Sequence, residues 1–146
     1  MDQLTGLHPE AAMKLQQWHR MLENSDLSGL TDIISENIVF RSPAVFTPFA
    51  GKPAFLTIIG SAIRIFEDFR YFRQFASPDG KNAVLEFEAH IAGTHLKGID
   101  MIRFDDSGLF EEFEVMIRPA NGLAELARRM GELAGPGLAK IRSSGS

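Results

Sequence analysis

The sequence predicts an α+β domain in which a curved antiparallel sheet carries its helices on one face. Three observations predict it. Residues 83–92 alternate Leu85, Phe87, Ala89 and Ile91 with Glu86, Glu88 and His90, and residues 109–118 alternate Phe113, Val115 and Ile117 with Glu112, Glu114 and Arg118. Alternation with period two over this length marks half-buried antiparallel strands. Ahead of these strands Leu15, Trp18 and Leu22 recur at helical spacing, and the order of elements is helix, helix, strand, helix, then a run of strands.

Pro9 stands where a first helical position belongs, so the first amphipathic helix spans about residues 9–24. Ser25 or Asp26 is placed to cap a second, short helix with Leu27, Leu30 and Ile34 on one face, ending near Glu36. Residues 37–42 form a β-branched and aromatic strand that Pro43 stops. The connection from Pro43 to Gly51 is apolar for a loop, which implies that it folds over something. A third helix from Pro53 carries Phe55, Ile58, Ile59, Ala62, Ile63 and Phe66, apolar on nearly every side, and is expected to be sandwiched between layers. Residues 69–75 follow as a strand closed by a turn at Ser77 to Gly80, and two hairpin turns at residues 93–98 and 105–108 separate the last three strands. Pro119 opens a C-terminal helix bearing Leu123, Leu126 and Met130, which Gly135, Pro136 and Gly137 end. The domain is therefore expected over residues 1–135, with residues 136–146 as a flexible tail.

The middle strand, residues 96–104, breaks its own pattern, because Asp100 is in phase with the apolar Ile102 and Phe104. A lone acid on an apolar face either stays protonated or finds a partner, since an unpaired buried carboxylate is heavily penalised. The alternative is that the strand splays and Asp100 reaches water. Tyr71, the only tyrosine, is in phase with Phe69 and Phe75, and serves either as core packing or as a hydroxyl reaching the same face.

The hairpin Ile99 to Gly108, followed by an alternating strand, resembles the penultimate hairpin of ketosteroid isomerases and of the wider SnoaL-like, NTF2-like superfamily. With the order of elements upstream, the resemblance extends over roughly residues 9–130. It implies a cone in which the sheet wraps an apolar pocket, with three helices of the N-terminal half on the concave face and a C-terminal helix. Ketosteroid isomerases use a carboxylate base at the end of the first strand, with a tyrosine and a protonated aspartate as oxyanion hole. The resemblance puts Asp100 at the aspartate position. At the other two positions the sequence departs, with Ser42 before Pro43 in place of the base and Trp18 in place of the tyrosine. A serine without an adjacent base does not take a proton from carbon, and an indole only donates.

The resemblance thus implies binding of a small apolar or polycyclic carbonyl compound, without an isomerase base. The expected pocket residues are Trp18, Ser42, Ile58, Tyr71, Leu85, Phe87, Ala89, Ile102, Phe113, Val115 and Ile117. The alternative is a cofactor-independent polyketide cyclase-like or isomerase-like enzyme with Asp100 as catalytic general acid/base. Neither reading needs a cofactor. Family members pair through the outer sheet face, and here that face presents Ile99, Met101 and Met116 among charged residues, so a homodimer is expected.

Composition narrows the remaining classes. A net charge of -4 disfavours nucleic acid, which needs a concentrated basic face. No apolar run approaches a membrane span and no leader precedes the first helix, so neither a membrane partner nor secretion is expected. The absence of cysteine removes disulfide and thiolate chemistry and accords with a cytoplasmic location. His90 and His95 flank one hairpin but lack a third ligand at recognisable spacing, so no metal is expected, and His8 and His19 are isolated in the sequence.

Overall fold

The computed structural model describes the backbone of residues 4–144 and side chains as far as Ile141. Its elements in chain order are α1 (Pro9–Asn24), β1 (Ile34–Arg41), β2 (Phe49–Ala50), α2 (Lys52–Ile65), β3 (Glu67–Ala76), β4 (Asn82–Ile91), β5 (Thr94–Phe104), β6 (Phe110–Arg118), α3 (Ala120–Leu133) and α4 (Gly135–Ser144). The strands form one six-stranded sheet in the order β2-β1-β6-β5-β4-β3. The predicted α+β class and curved sheet are found.

The hairpin turn expected at residues 93–98 is confined to Ala92 and Gly93, because β5 already begins at Thr94 and pairs with Ile91. Three larger details also differ from the sequence reading. The segment expected as a second helix is a single 3-10 turn at Leu30–Asp32. Ser25 does not cap a new helix; it closes α1 in the left-handed conformation, with its N–H on the Leu22 carbonyl, while Asp26 accepts the Ser28 N–H at 3.0 Å. With Gly29 next in line and the β-branched Ile33 and Ile34 following, the chain turns once and goes straight into β1. Second, β1 runs parallel to β6, so the sheet is not wholly antiparallel. The long excursion of the chain between these two strands is what permits a parallel pair. Third, Gly135 to Gly137 do not end the helical structure, because the chain continues as α4, and Leu138 packs against the core.

The sheet divides its two faces cleanly. In β4 every second residue is buried, from Ala83 through Leu85, Phe87 and Ala89 to Ile91, and β5 does the same from Leu96 through Gly98, Asp100 and Ile102 to Phe104. One end of the inner face is filled. Phe55, Phe104, Phe110 and Phe113 pack there with Leu30, Ile33 and Leu85, all at most 2% exposed. Burial of this many aromatic and branched side chains supplies the main drive to fold. Gly98 marks the other end. A Cβ at that position would lie 2.6 Å from Phe87 Cζ and would collide with the Met116 carbonyl oxygen, so only glycine lets the Phe87 ring lie across β5 there.

Candidate functional site

Between the sheet, α1, α2 and α3 the inner face leaves a cavity of about 650 Å³, within the range of small-molecule sites. Its walls are mostly apolar: Leu22 on α1, Ile58, Ile59 and Ala62 on α2, Phe69 on β3, Phe113, Val115 and Ile117 on β6, and Leu126 and Met130 on α3. The apolar connection after β1 contributes Ser42, Pro43, Ala44 and Val45 to the wall, as a loop that folds over something should.

Asp100 opens into this cavity and is 5% exposed as a residue. Its phase in β5 puts it there, opposite Leu85 in β4 and Val115 in β6. Tyr71 donates its hydroxyl to Asp100 Oδ2 at 2.5 Å, and Trp18 donates Nε1–H to the same hydroxyl oxygen at 3.0 Å. The chain of donors therefore runs from helix α1 through strand β3 to strand β5. Interruptions of the β3/β4 register lie on either side of Tyr71, between Glu67 and Arg70 and between Tyr71 and Gln74, and such bulges re-aim side chains. Of the two readings open for Tyr71, the hydroxyl that reaches the inner face is the one found.

Burial pushes the Asp100 carboxyl up to about 7, and the Tyr71 hydrogen bond offsets only part of that rise. No cation contributes. Burial, and then the neighbouring Asp100, hold the Tyr71 hydroxyl well above its usual range, so it remains a donor. With Oδ2 engaged by Tyr71, a proton on Asp100 is free to sit on the other oxygen and to be offered to a ligand. Near neutral pH this group both gives and takes a proton without a large penalty either way.

The other expected pocket residues divide. Trp18, Ser42, Ile58, Tyr71, Phe87, Phe113, Val115 and Ile117 line the cavity with Asp100. Leu85, Ala89 and Ile102 do not, although each is at most 1% exposed. Leu85 and Ile102 belong to the close-packed cluster with Trp18, Phe104 and Phe110, and Ala89 packs with Ile91, Leu96 and Leu126. Period two assigns a face of the sheet, but it does not say which part of that face is filled. Ser42 Oγ accepts the Ala44 N–H at 3.0 Å at the loop entrance.

His19 is the site residue that sequence reasoning missed. It lines the cavity, and its ring meets Tyr71 edge to face with centroids 5.2 Å apart. Its neighbour Trp18 was the available signal, since successive helical positions beside a pocket residue are 100° apart and can both face a wide cavity. His90 and His95, by contrast, stack on each other at 4.9 Å beside Glu88 and Asp68, away from the cavity. Among the described residues no three His, Cys, Asp or Glu side chains gather as a metal site.

A curved, unclosed sheet with its helices packed on one face around an apolar cavity that holds one buried acid is an architecture of the NTF2-like kind. The chain belongs to the SnoaL-like domain family, whose model matches residues 15–113. It is similar to a steroid delta-isomerase from Pseudomonas aeruginosa, with 47% identity over 91% of this chain and 97% of that one, at a TM-score of 0.87. An uncharacterized bacterial protein with a cystatin-like fold from Silicibacter pomeroyi DSS-3 is 25% identical over 88% of this chain and 86% of its own, at 0.78. The epoxide hydrolase/cyclase-like enzyme SalBIII, of pyran ring formation in the polyether salinomycin, shares the fold at 14% identity, with 77% and 93% covered and a TM-score of 0.64. Among curated proteins none matches the chain in sequence. No helix among the described residues is long and apolar enough to cross a membrane.

Proposed function

We propose that the cavity binds a rigid, mostly apolar carbonyl compound of steroid or polycyclic size and holds its oxygen on Asp100. The observation that carries this reading is the Asp100 carboxyl, buried in an apolar wall with one oxygen fixed by Tyr71. A carbonyl oxygen needs a donor, and a carboxyl that burial raises to about 7 is one at pH values below that. The volume of about 650 Å³ suits such a ligand, and apolar walls supply most of the affinity. Ser42, whose oxygen is engaged by Ala44, supplies no base, and no cofactor enters the reading.

A second reading, a cofactor-independent isomerase-like or cyclase-like enzyme with Asp100 as general acid/base, is favoured by the carboxyl lying near 7 and by the likeness to a steroid delta-isomerase. Pairing of two chains through the outer sheet face is part of the same proposal.

Trp18 is the only tryptophan and lines the cavity, so its fluorescence reports occupancy directly. Titration with 4-androstene-3,17-dione should quench or shift it. Affinity should be constant below neutral pH and weaken by about tenfold per unit above the Asp100 titration, because ionised Asp100 offers no proton. Asp100→Asn should bind with little pH dependence, since the amide keeps a donor, and Asp100→Leu should lose about 1–3 kcal/mol of binding. Affinity indifferent to both pH and Asp100→Leu would sink the reading.

A further inference from the structure

The connection between β1 and β2 rims the cavity and carries no charged residue between Arg41 and Lys52. Both of its ends belong to the cavity wall, Ser42 to Val45 on one side and Phe49 on the other. Those ends are held by the sheet, where Phe40 pairs with Phe49 and Val39 with Ala50. Between them the chain is nearly untied. Among the described residues, positions 43–48 make one hydrogen bond, from the Ala44 N–H to Ser42 Oγ. At the tip stands Phe46, fully exposed, beside a half-exposed Val45. Exposed rings elsewhere find company: Phe72 on β3 lies under the Arg70 guanidinium, 4.8 Å from its ring centre. Phe46 has no such partner among the described residues, although it adjoins an apolar cavity that its ring could cover.

We propose that residues 43–48 are a lid, and that Phe46 folds inward over an apolar ligand to become the outermost wall of the occupied cavity. The inference rests on the apolar walls of the proposed site and not on a carbonyl at Asp100. Val45 already lines the cavity, and consecutive Cα atoms are about 3.8 Å apart, so changes of loop dihedrals alone bring the neighbouring ring over the mouth. The strand pairing at Phe40 and Phe49 stays as it is. A bound ligand is the fitting partner for the ring, because each otherwise shows apolar surface to water at the same opening, and closure removes both. Closure also costs little, since the segment has no charge to bury and a single hydrogen bond to disturb. The free protein is open, so the ring does not obstruct entry. Once closed, it has to be lifted before the ligand leaves, and its weight therefore falls on release.

The test uses N-phenyl-1-naphthylamine, an apolar probe without a carbonyl whose fluorescence rises out of water, with affinity from titration and release from stopped-flow dilution. Phe46→Ser should raise the dissociation constant about tenfold through faster release, with the rate of capture within about threefold of wild type. Phe46→Leu, which keeps an apolar side chain, should recover most of the loss. The urea midpoints of all three proteins should coincide, because Phe46 is exposed in the free fold. Chymotrypsin reads the same loop without any substitution: it should cut the free protein after Phe46, and saturation with the probe should slow that cut at least about tenfold. Wild-type affinity and release in Phe46→Ser, or a cut as fast with the probe bound as without it, would overturn the lid. So would a Phe46→Ser variant that holds the probe normally and loses only its sedimentation with phosphatidylcholine vesicles, which would assign the tip to a lipid surface. A probe that does not bind wild type overturns the lid together with the apolar cavity. If the probe binds and shows the Phe46 effects while 4-androstene-3,17-dione does not bind, the lid stands and the carbonyl reading falls.

Discussion

Glu86 and Asp100 are carboxyls on adjacent strands, one position out of register, and the pleat sends them to opposite faces of the sheet. On the outer face, hydrogen bonds from Arg73 at 2.6 and 2.9 Å, aided by Lys97, pull Glu86 down to about 2. On the inner face, burial pushes Asp100 up to about 7, with only a tyrosine to soften it. The two side chains are chemically alike and near neighbours across the β4/β5 pair. What separates them is which face the alternation assigns and who else stands there: cations in solvent hold one permanently ionised, and apolar walls leave the other poised to exchange a proton.

The contrast depends on the inner face staying hollow around Asp100, and the largest expected effect comes from filling it. Gly98 is two residues before Asp100 on the same face, where an added Cβ meets the Phe87 ring and the Met116 carbonyl of the paired strand. Neither neighbour is the free end of a flexible chain. Gly98→Ala should therefore cost about 3 kcal/mol in urea unfolding and distort the cavity wall, as overpacking does. An alanine variant as stable as wild type, with the cavity intact, would mean that this stretch of β5 is freer to move than its packing implies.

Next in size is the effect of making the inner carboxyl resemble neither extreme. Between its ordinary value of 3.8 and its folded value of about 7, Asp100 holds a proton in the folded chain that the unfolded chain has lost. Its protonation therefore favours the fold most fully below 3.8, and that contribution disappears as pH rises through about 7. Asn is neutral at every pH. Asp100→Asn should be more stable than wild type by about 2 kcal/mol at pH 8, and the difference should shrink or reverse at pH 5. Parallel urea midpoints at the two pH values measure it, and a difference independent of pH would show that Asp100 titrates like an exposed acid.

The sequence put Asp100 in phase with Ile102 and Phe104 but left open whether the strand splays there and lets the acid reach water; its burial, at 5% exposure, is a property of the folded sheet. The sequence did make Trp18 and the loop after β1 legible, since an aromatic on an amphipathic face and an apolar connection both need something to cover. It could not show that Tyr71 bonds Asp100, because the two are 29 residues apart and the bulges in β3 that aim the hydroxyl leave no signature in residue spacing. The division of the inner face into a filled end with Leu85 and Ile102 and a hollow end with Phe87 and Val115 was equally hidden. It follows from how α1, α2 and α3 sit over the sheet, and helix docking is a tertiary property. His19 went unnoticed for the same reason: alone in the sequence, it gains its meaning only from the Tyr71 ring against which α1 lays it.

The smallest expected effect on stability tests the other face. Met101 and Met116 are 38% and 46% exposed and lie near each other on the outer side of β5 and β6, since Met116 is the register partner of Ile99. Around them stand Glu86, Lys97, Arg103 and Glu112, mostly joined in ion pairs such as Arg103 with Glu112 and Lys97 with Glu86. Apolar centres inside a charged rim are the composition of a pairing surface, whereas solvent-exposed methionines contribute little to the fold of one chain. The double variant Met101→Lys, Met116→Lys should therefore unfold within about 0.5 kcal/mol of wild type and bind the steroid probe unchanged. Its light-scattering mass should nevertheless fall from that of two chains to that of one, because two added positive charges per chain would face each other across a twofold interface. If wild type already scatters as a single chain at micromolar concentration, the outer face carries only solvated ion pairs. If the variant instead loses probe binding while remaining paired, the two faces are coupled through β5 and do not act as separately as the titration of Glu86 and Asp100 implies.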